Sequence, residues 1–471
     1  MRPFLSVLDE RTVEDIEAEA IRILEAIGVF VEYDPARALL LDGGAREGEG
    51  GRIRIPPDLV ERALGTAPRS VALYDREGAP AARLEGDRVH FDPGSAAIRV
   101  YDYGERRLRD PVTEDCVRFA RLTDGLENLA LQSTCVIPTD VPKERADRHR
   151  LYLALVHGKK AVITGTFGLA SFDAMYEMLC CVRGSGEALR EKPLALFDCC
   201  PSPPLKWSEL TCACLVACAE RGVPAELVSM PLTGATAPVT LLGAVVQHTA
   251  ENLSGVVIHQ LAGPGSPIVY GGSPSAFDLR HGTTPMGAVE TMMIDLAYAR
   301  VGKHLGLPVH AYMGLSDAKL PDWQAGMESG AGAVLAALGG INVVSGPGML
   351  DFESCQSLEH LVLANEACGA ALRLVEGLQR RDEVMALEVI RAGLEAGHFL
   401  ALDHTRRWAR EEFRFPGPAL DRTEGMTWEK AGRKDALERA HEEVVRILER
   451  APEGGLEPDT VKELERLAGA R

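Results

Sequence analysis

The chain has 471 residues, enough for one large barrel with appendages or for two or three ordinary domains. Its composition, 46% hydrophobic and 25% charged, is that of a globular protein, and its formal charge of −18 argues against nucleic acid or anionic membrane as main partner. The same negative field suits a cationic substrate, although acidity also serves solubility alone. The 11 cysteines form an odd set with adjacent pairs at Cys180-Cys181 and Cys199-Cys200, unlike a disulfide framework. With no secretory pattern at Met1-Arg2-Pro3-Phe4, this predicts a reducing, cytoplasmic setting. Apolar runs break well before the roughly 18 residues a membrane helix needs.

Residues 1–110 mix helices and short strands. Thr12-Val-Glu-Asp15 reads as a capping box ahead of an apolar stripe through Ile16, Ala20, Ile23, Leu24 and Ile27. Arg52–Ile55, Val71–Tyr74 and Arg88–Phe91 alternate like strands, and Phe91–Asp102 reads as strand, turn, strand.

Residues 111–380 repeat one grammar: a short apolar strand, a loop of small and polar residues, then a long helix. The strands are Val162–Thr164, Leu194–Phe197, Glu226–Ser229, Ile268–Tyr270, the run from His310 and Ile341–Ser345, with another near Leu129–Val136. Helical patterns follow, among them Lys143–Val156, Val239–Ala262 and Leu358–Leu378. Such alternation predicts a parallel sheet with right-handed crossovers, and this number of units favours a (β/α)8 TIM-type barrel. No Gly-x-Gly-x-x-Gly or Walker A motif accompanies it. Residues 381–471 form a charged helical appendage, with helical spacing over Asp382–Glu395 and Asp435–Arg450.

A TIM barrel keeps its chemistry at the C-terminal ends of its strands, so the loops there supply the candidates. Ser316 and Asp317 follow one strand, whereas Asp322 sits where an acid serves a helix dipole. Asp278 and Arg280 are two apart in a loop. Arg280 either grips a substrate carboxylate or only braces its neighbour. Tyr270 and Tyr312 supply rings that either hold a cation or fill the core. Thr233-Gly234-Ala235-Thr236 is small enough to admit an anion or a flat cofactor, or is a plain turn. Cys212, Cys214 and Cys218 lack metal-site spacing and read as core, and no bound metal is expected.

Taken in order, Met230–Gly243, Tyr270–Arg280, Ser316–Gly326, Gly346–Leu350 and His398–Thr405 resemble the trimethylamine methyltransferase family, the corrinoid-dependent amine methyltransferases. Ile27-Gly-Val and Ile55-Pro-Pro fit as well. The resemblance implies a barrel enzyme that moves a methyl group from an amine to the cobalt of a corrinoid (cobalamin) carried by a separate protein. Founding members use pyrrolysine. This chain has standard residues throughout, which places it with the non-pyrrolysine branch, similar to glycine betaine methyltransferase. On that reading Arg280 holds a substrate carboxylate, while Asp278, Asp317 or Asp92 surround the cation with Tyr270 and Tyr312. Ser316 stands beside them, and Thr233–Thr236 lines the corrinoid path. Long external helices suggest a homo-oligomer. The rival readings are a metal-dependent or acid–base barrel lyase or hydrolase, and a barrel that binds amines without turnover.

Overall fold

The computed structural model describes residues 2–381, 386–451 and 454–469. Eight parallel strands form one sheet in which each pairs with the next. They are β1 (His90–Asp92), β2 (Gln132–Ser133), β3 (Val162–Thr164), β4 (Ala195–Cys199), β5 (Ala225–Leu227), β6 (Ile268–Gly272), β7 (Val309–Tyr312) and β8 (Val343–Ser345). β8 pairs with β1 through Val344 and Phe91, and the Leu131 N–H donates to the Phe91 carbonyl at 3.4 Å, closing the barrel between β1 and β2. The barrel therefore begins before residue 111. Its first strand lies inside the segment assigned to the N-terminal region, because closure pairs positions about 250 residues apart that no local pattern links.

Alternate strand residues face opposite sides of a sheet. Leu131, Ile163, Leu196, Val269 and Val343 point inward and form the floor of the barrel. The hairpin Val71–Tyr74/Pro80–Leu84 plugs the N-terminal end by adding Val71, Leu73, Ala82 and Leu84 to that floor. Outward residues such as Phe197, Tyr270 and Val344 pack on the surrounding helices. Helix Leu241–Ala262 is buried on nearly every face because it lies between the barrel and the N-terminal helices Glu10–Ala26 and Pro57–Thr66. The first of these starts one turn earlier than the Thr12 pattern suggests: Asp9 is its cap and accepts the Thr12 N–H at 2.8 Å.

A second, four-stranded sheet sits beyond the C-terminal end of the barrel. The hairpin Met349–Leu350/Cys355–Gln356 pairs there with Arg99–Asp102, and that strand with Arg107–Arg109. The C-terminal helices lie against the barrel's outer helices, with Ala436–Arg450 on Leu358–Glu376 and Pro458–Ala468 on Leu169–Arg183. Asp435 and Glu438 cap the former in a reciprocal box. Of the predicted helix Asp382–Glu395, residues 382–385 lie outside the described residues, and Leu387–Ala396 is helical. No described helix is long and apolar enough to cross a membrane.

Candidate active site

Two residues above the apolar floor, the inward positions change character. Leu196 is followed by Asp198, Val343 by Ser345, and Ile163 and Val269 by Gly165 and Gly271. Glu226 stands beside Asp198 in register on β5, and His310 beside Gly271 on β7. Asp92 sits beside Ser345 on β1. The result is a polar girdle inside the barrel at the C-terminal end of its strands.

Its connections run as a chain. The Ser345 hydroxyl donates to Asp92 Oδ2 at 2.6 Å, and the Gly94 N–H donates to Asp92 Oδ1 at 3.0 Å. His310 Nε2 lies 3.1 Å from Ser345 Oγ and 3.6 Å from Glu226 Oε1. His310 Nδ1 has no hydrogen-bond partner. Burial pushes the His310 pKa down to about 3, so the ring is neutral.

The acids move the other way. Burial raises Asp92 to about 7 and Asp198 to about 6, and it holds Glu226 well above the carboxylate range, reinforced by the charge of Asp198. Asp198 and Glu226 bond to each other side by side, and beyond that contact the Glu226 oxygens have no partner. Such a carboxyl pair keeps a proton until a cation arrives. Asp198, Cys200, Gly165 and Thr166 are only half-buried, so open space lies against this side of the girdle.

Two further groups stand above it. The Tyr312 ring meets His310 edge-on, with centroids 5.1 Å apart. Glu353 lies in the turn of the upper hairpin, where Asp351, Phe352 and Glu353 all take positive φ (50°, 57° and 67°). Three consecutive side-chain-bearing residues in the left-handed region mark a strained turn. It brings Glu353 to the end of β6, where the Ser273 hydroxyl donates to Oε1 and Oε2 at 3.0 and 3.2 Å. Burial, with Asp317 nearby, raises Glu353 to about 8.

Among the sequence candidates, Asp92 and Tyr312 lie in the barrel interior. Ser316 and Asp317 lie at its edge and stitch loops together. Asp317 Oδ1 accepts the Met286 and Gly287 N–H groups at 2.8 and 3.0 Å, and Glu328 Oε2 accepts the Ser316 hydroxyl and the Asp317 N–H at 2.5 and 2.9 Å. Asp322 caps its helix.

Two placements, Tyr270 and the Asp278–Arg280 pair, depart from the expectation. Tyr270 points away from the interior, donating to Thr249 Oγ1 at 2.9 Å and packing against His248, because β6 turns Val269 and Gly271 inward. Asp278 accepts from Arg280 and from His281, so it is consumed within its own loop. The Arg280 side chain is 83% exposed, and the pair braces a surface loop. Thr233–Thr236 forms a tight turn: Thr233 Oγ1 accepts the Phe277 N–H at 3.1 Å, Thr236 Oγ1 accepts the Leu232 N–H at 2.9 Å, and Gly234 and Ala235 are exposed at its tip.

Asp198, Glu226, His310, Ser345 and Glu353 were not singled out from the sequence. For the first four the signal was a charged or polar residue inside an otherwise apolar strand, whereas Glu353 lies in a turn. The thiols of Cys199, Cys214 and Cys218 lie within 4.8 Å of one another, outside the barrel wall between β4 and helix Glu209–Arg221. They are three soft donors, and no imidazole or carboxylate completes the group among the described residues.

The family model described as trimethylamine methyltransferase (MTTB) matches residues 1–470. Trimethylamine methyltransferase MttB of Desulfitobacterium hafniense (strain DSM 10664 / DCB-2) is 30% identical over 435 residues, covering 92% of this chain and 87% of that protein. Glycine betaine methyltransferase of Desulfitobacterium hafniense (strain Y51) is 30% identical over 471 residues, covering 100% and 98%. The fold resembles the crystal structure of the Methanosarcina barkeri monomethylamine methyltransferase (MtmB), with TM-score 0.52 and 11% identity over 99% of this chain and 89% of that one. An eight-stranded parallel barrel, with acids at the C-terminal ends of its strands and sequence agreement along its whole length, makes this chain a member of the trimethylamine methyltransferase family.

Proposed function

We propose that this chain transfers a methyl group from a quaternary amine of the glycine betaine kind to the Co(I) of a corrinoid carried by a separate protein. The observation that carries the reading is the girdle of buried Asp92 and Glu226 and half-buried Asp198 beneath the Tyr312 ring, three acids gathered at the C-terminal end of the barrel. Carboxylates and an aromatic face are what a quaternary ammonium binds.

The donor nitrogen loses its positive charge as the methyl leaves and departs as a neutral amine. No general base is required, and the girdle contains no base–nucleophile pair. The residues instead hold and aim the donor. Carboxyl groups that retain protons also suit a charge that fades. A fully ionised ring would favour the bound cation over the transition state, whereas a partly protonated one favours it less. The acceptor supplies a strongly nucleophilic Co(I). Small residues leave room for it: Gly234 and Ala235 are exposed on the loop after β5, and Gly165 lines the open side.

The test is to mix the protein with cob(I)alamin and a panel of trimethylated and tetramethylated amines and to follow the Co(I) absorbance. Its loss with a quaternary amine, and not with the demethylated product, supports the reading. No loss with any member of the panel contradicts it.

A further inference from the structure

Arg150 is 2% exposed, yet its Nε and Nη1 find no hydrogen-bond partner. It lies on helix Lys143–His157, between β2 and β3. A buried guanidinium without an anion is costly, because its desolvation is not offset by hydrogen bonds. Folds retain such a group where something else completes it.

The nearest helix acid does not. Asp147, one turn earlier, accepts the Arg148 N–H at 2.8 Å through Oδ1. Its Oδ2 accepts the Phe167 N–H at 2.7 Å and the Thr166 hydroxyl at 3.0 Å. Asp147 therefore fixes the loop after β3. That loop sets the Phe167 ring against Arg150, 4.9 Å from the guanidinium carbon, so one face of the guanidinium is covered while Nε and Nη1 stay without partners. The next inward acid is Asp198 on β4, close enough that each charge stabilises the other. Asp198 bonds to Glu226 and leaves Nε and Nη1 of Arg150 without a partner. Half-buried Gly165 and Thr166 line the opening beside Asp198.

We infer that Arg150 is the carboxylate-binding group of the barrel mouth, so that the methyl donor is a zwitterion with its carboxylate on Arg150 and its quaternary nitrogen against Asp198 and Glu226. This rests on the reading of the girdle as the methyl-donor site. A buried guanidinium whose Nε and Nη1 no carboxylate bonds, near acids that hold their protons, matches a ligand that carries both charges. A simple quaternary ammonium satisfies only the acids and brings its charge toward Arg150, so the same geometry disfavours it. Arg280 has no such vacancy, because Asp278 already occupies it.

The test is calorimetric titration of the full-length protein, without corrinoid, with glycine betaine and with tetramethylammonium. The expected result is that the wild type prefers betaine. Arg150→Gln weakens betaine by about tenfold to a hundredfold, the worth of a hydrogen bond between charged groups, and leaves tetramethylammonium unchanged or tighter. Arg150→Lys, which keeps the charge without the planar fork, falls between and serves if the glutamine variant does not fold. The inference is overturned if both ligands weaken equally, if betaine is unaffected, or if the wild type binds neither ligand or both alike. Binding through Arg150 without consumption of Co(I) removes the proposed methyl transfer and keeps this subsite. Turnover of quaternary amines that is indifferent to Arg150 does the reverse.

Discussion

The two ends of the barrel differ within a single step along its strands. At the N-terminal end Leu131, Ile163, Leu196, Val269 and Val343 meet Leu73 and Leu84 of the plugging hairpin. Two residues further on, the same strands present Ser133, Gly165, Asp198, Gly271 and Ser345. The lower layer gains from every methyl group buried, about 1.5–3 kcal/mol for each large side chain. The upper layer sets Asp198 and Glu226 side by side with Glu226 fully buried, which opposes folding. The chain therefore concentrates stability at one end and accepts instability at the other, the pattern expected where binding completes the structure.

The largest effect should come from the upper layer. Asp198→Ala is expected to reduce methyl transfer by about a hundredfold or more, as loss of a preorganised charge partner does, without lowering the melting temperature. A variant that melts lower and keeps its activity would make Asp198 structural. The lower layer should behave oppositely. Leu73→Ala is expected to cost about 3 kcal/mol in denaturant unfolding, with turnover per folded molecule unchanged.

Between these lies a pH effect of about tenfold. Asp92 and Glu353 have their pKa values raised to about 7 and about 8, so the folded protein holds these protons more tightly than the unfolded chain. Their contribution to stability is complete below the ordinary carboxylate pKa and is lost as pH rises through about 7 and 8. A bound cation favours the ionised forms. Affinity for a quaternary ammonium should therefore rise about tenfold from about pH 6 to 8 while the ligand-free melting temperature falls. Flat affinity would show that these carboxyl groups do not face the ligand.

Tyr312→Ala should weaken tetramethylammonium by about fivefold to thirtyfold in a binding titration, and Tyr312→Phe far less, since the ring face and not the hydroxyl meets the cation. The smallest effect belongs to Arg280→Ala, expected to change betaine turnover by less than about twofold because its partner is an exposed loop acid.

The difference between the ends also explains what could be read from the sequence. The strand-loop-helix rhythm is local, so β3 to β8 were legible from Val162–Thr164 and its successors, and β2 from Leu129–Val136. β1 was seen as a strand at Arg88–Phe91, but its place in the barrel depends on pairing with β8, far along the chain. Asp92 and Tyr312 were legible because they end strands. Glu226 and His310 lie within strands, where a neighbour's register decides whether a polar residue faces the interior or the helices. Arg150 sits in the charged run Lys143-Glu-Arg-Ala-Asp-Arg-His-Arg150, which reads as a solvated helix face until the fold buries its last member. Arg280 was singled out yet lies away from the girdle for the opposite reason: an arginine two residues from an acid in a loop satisfies it locally.

The account depends most on the girdle being the place where the donor's cation binds. The most direct measurement is titration of tetramethylammonium into the wild type and into the Asp198→Asn/Glu226→Gln double variant at pH 8. These substitutions keep shape and remove charge. Affinity lower by at least about tenfold in the double variant, with the fold intact by circular dichroism, is the predicted result. Equal affinity in the two proteins would contradict it and move the cation site elsewhere.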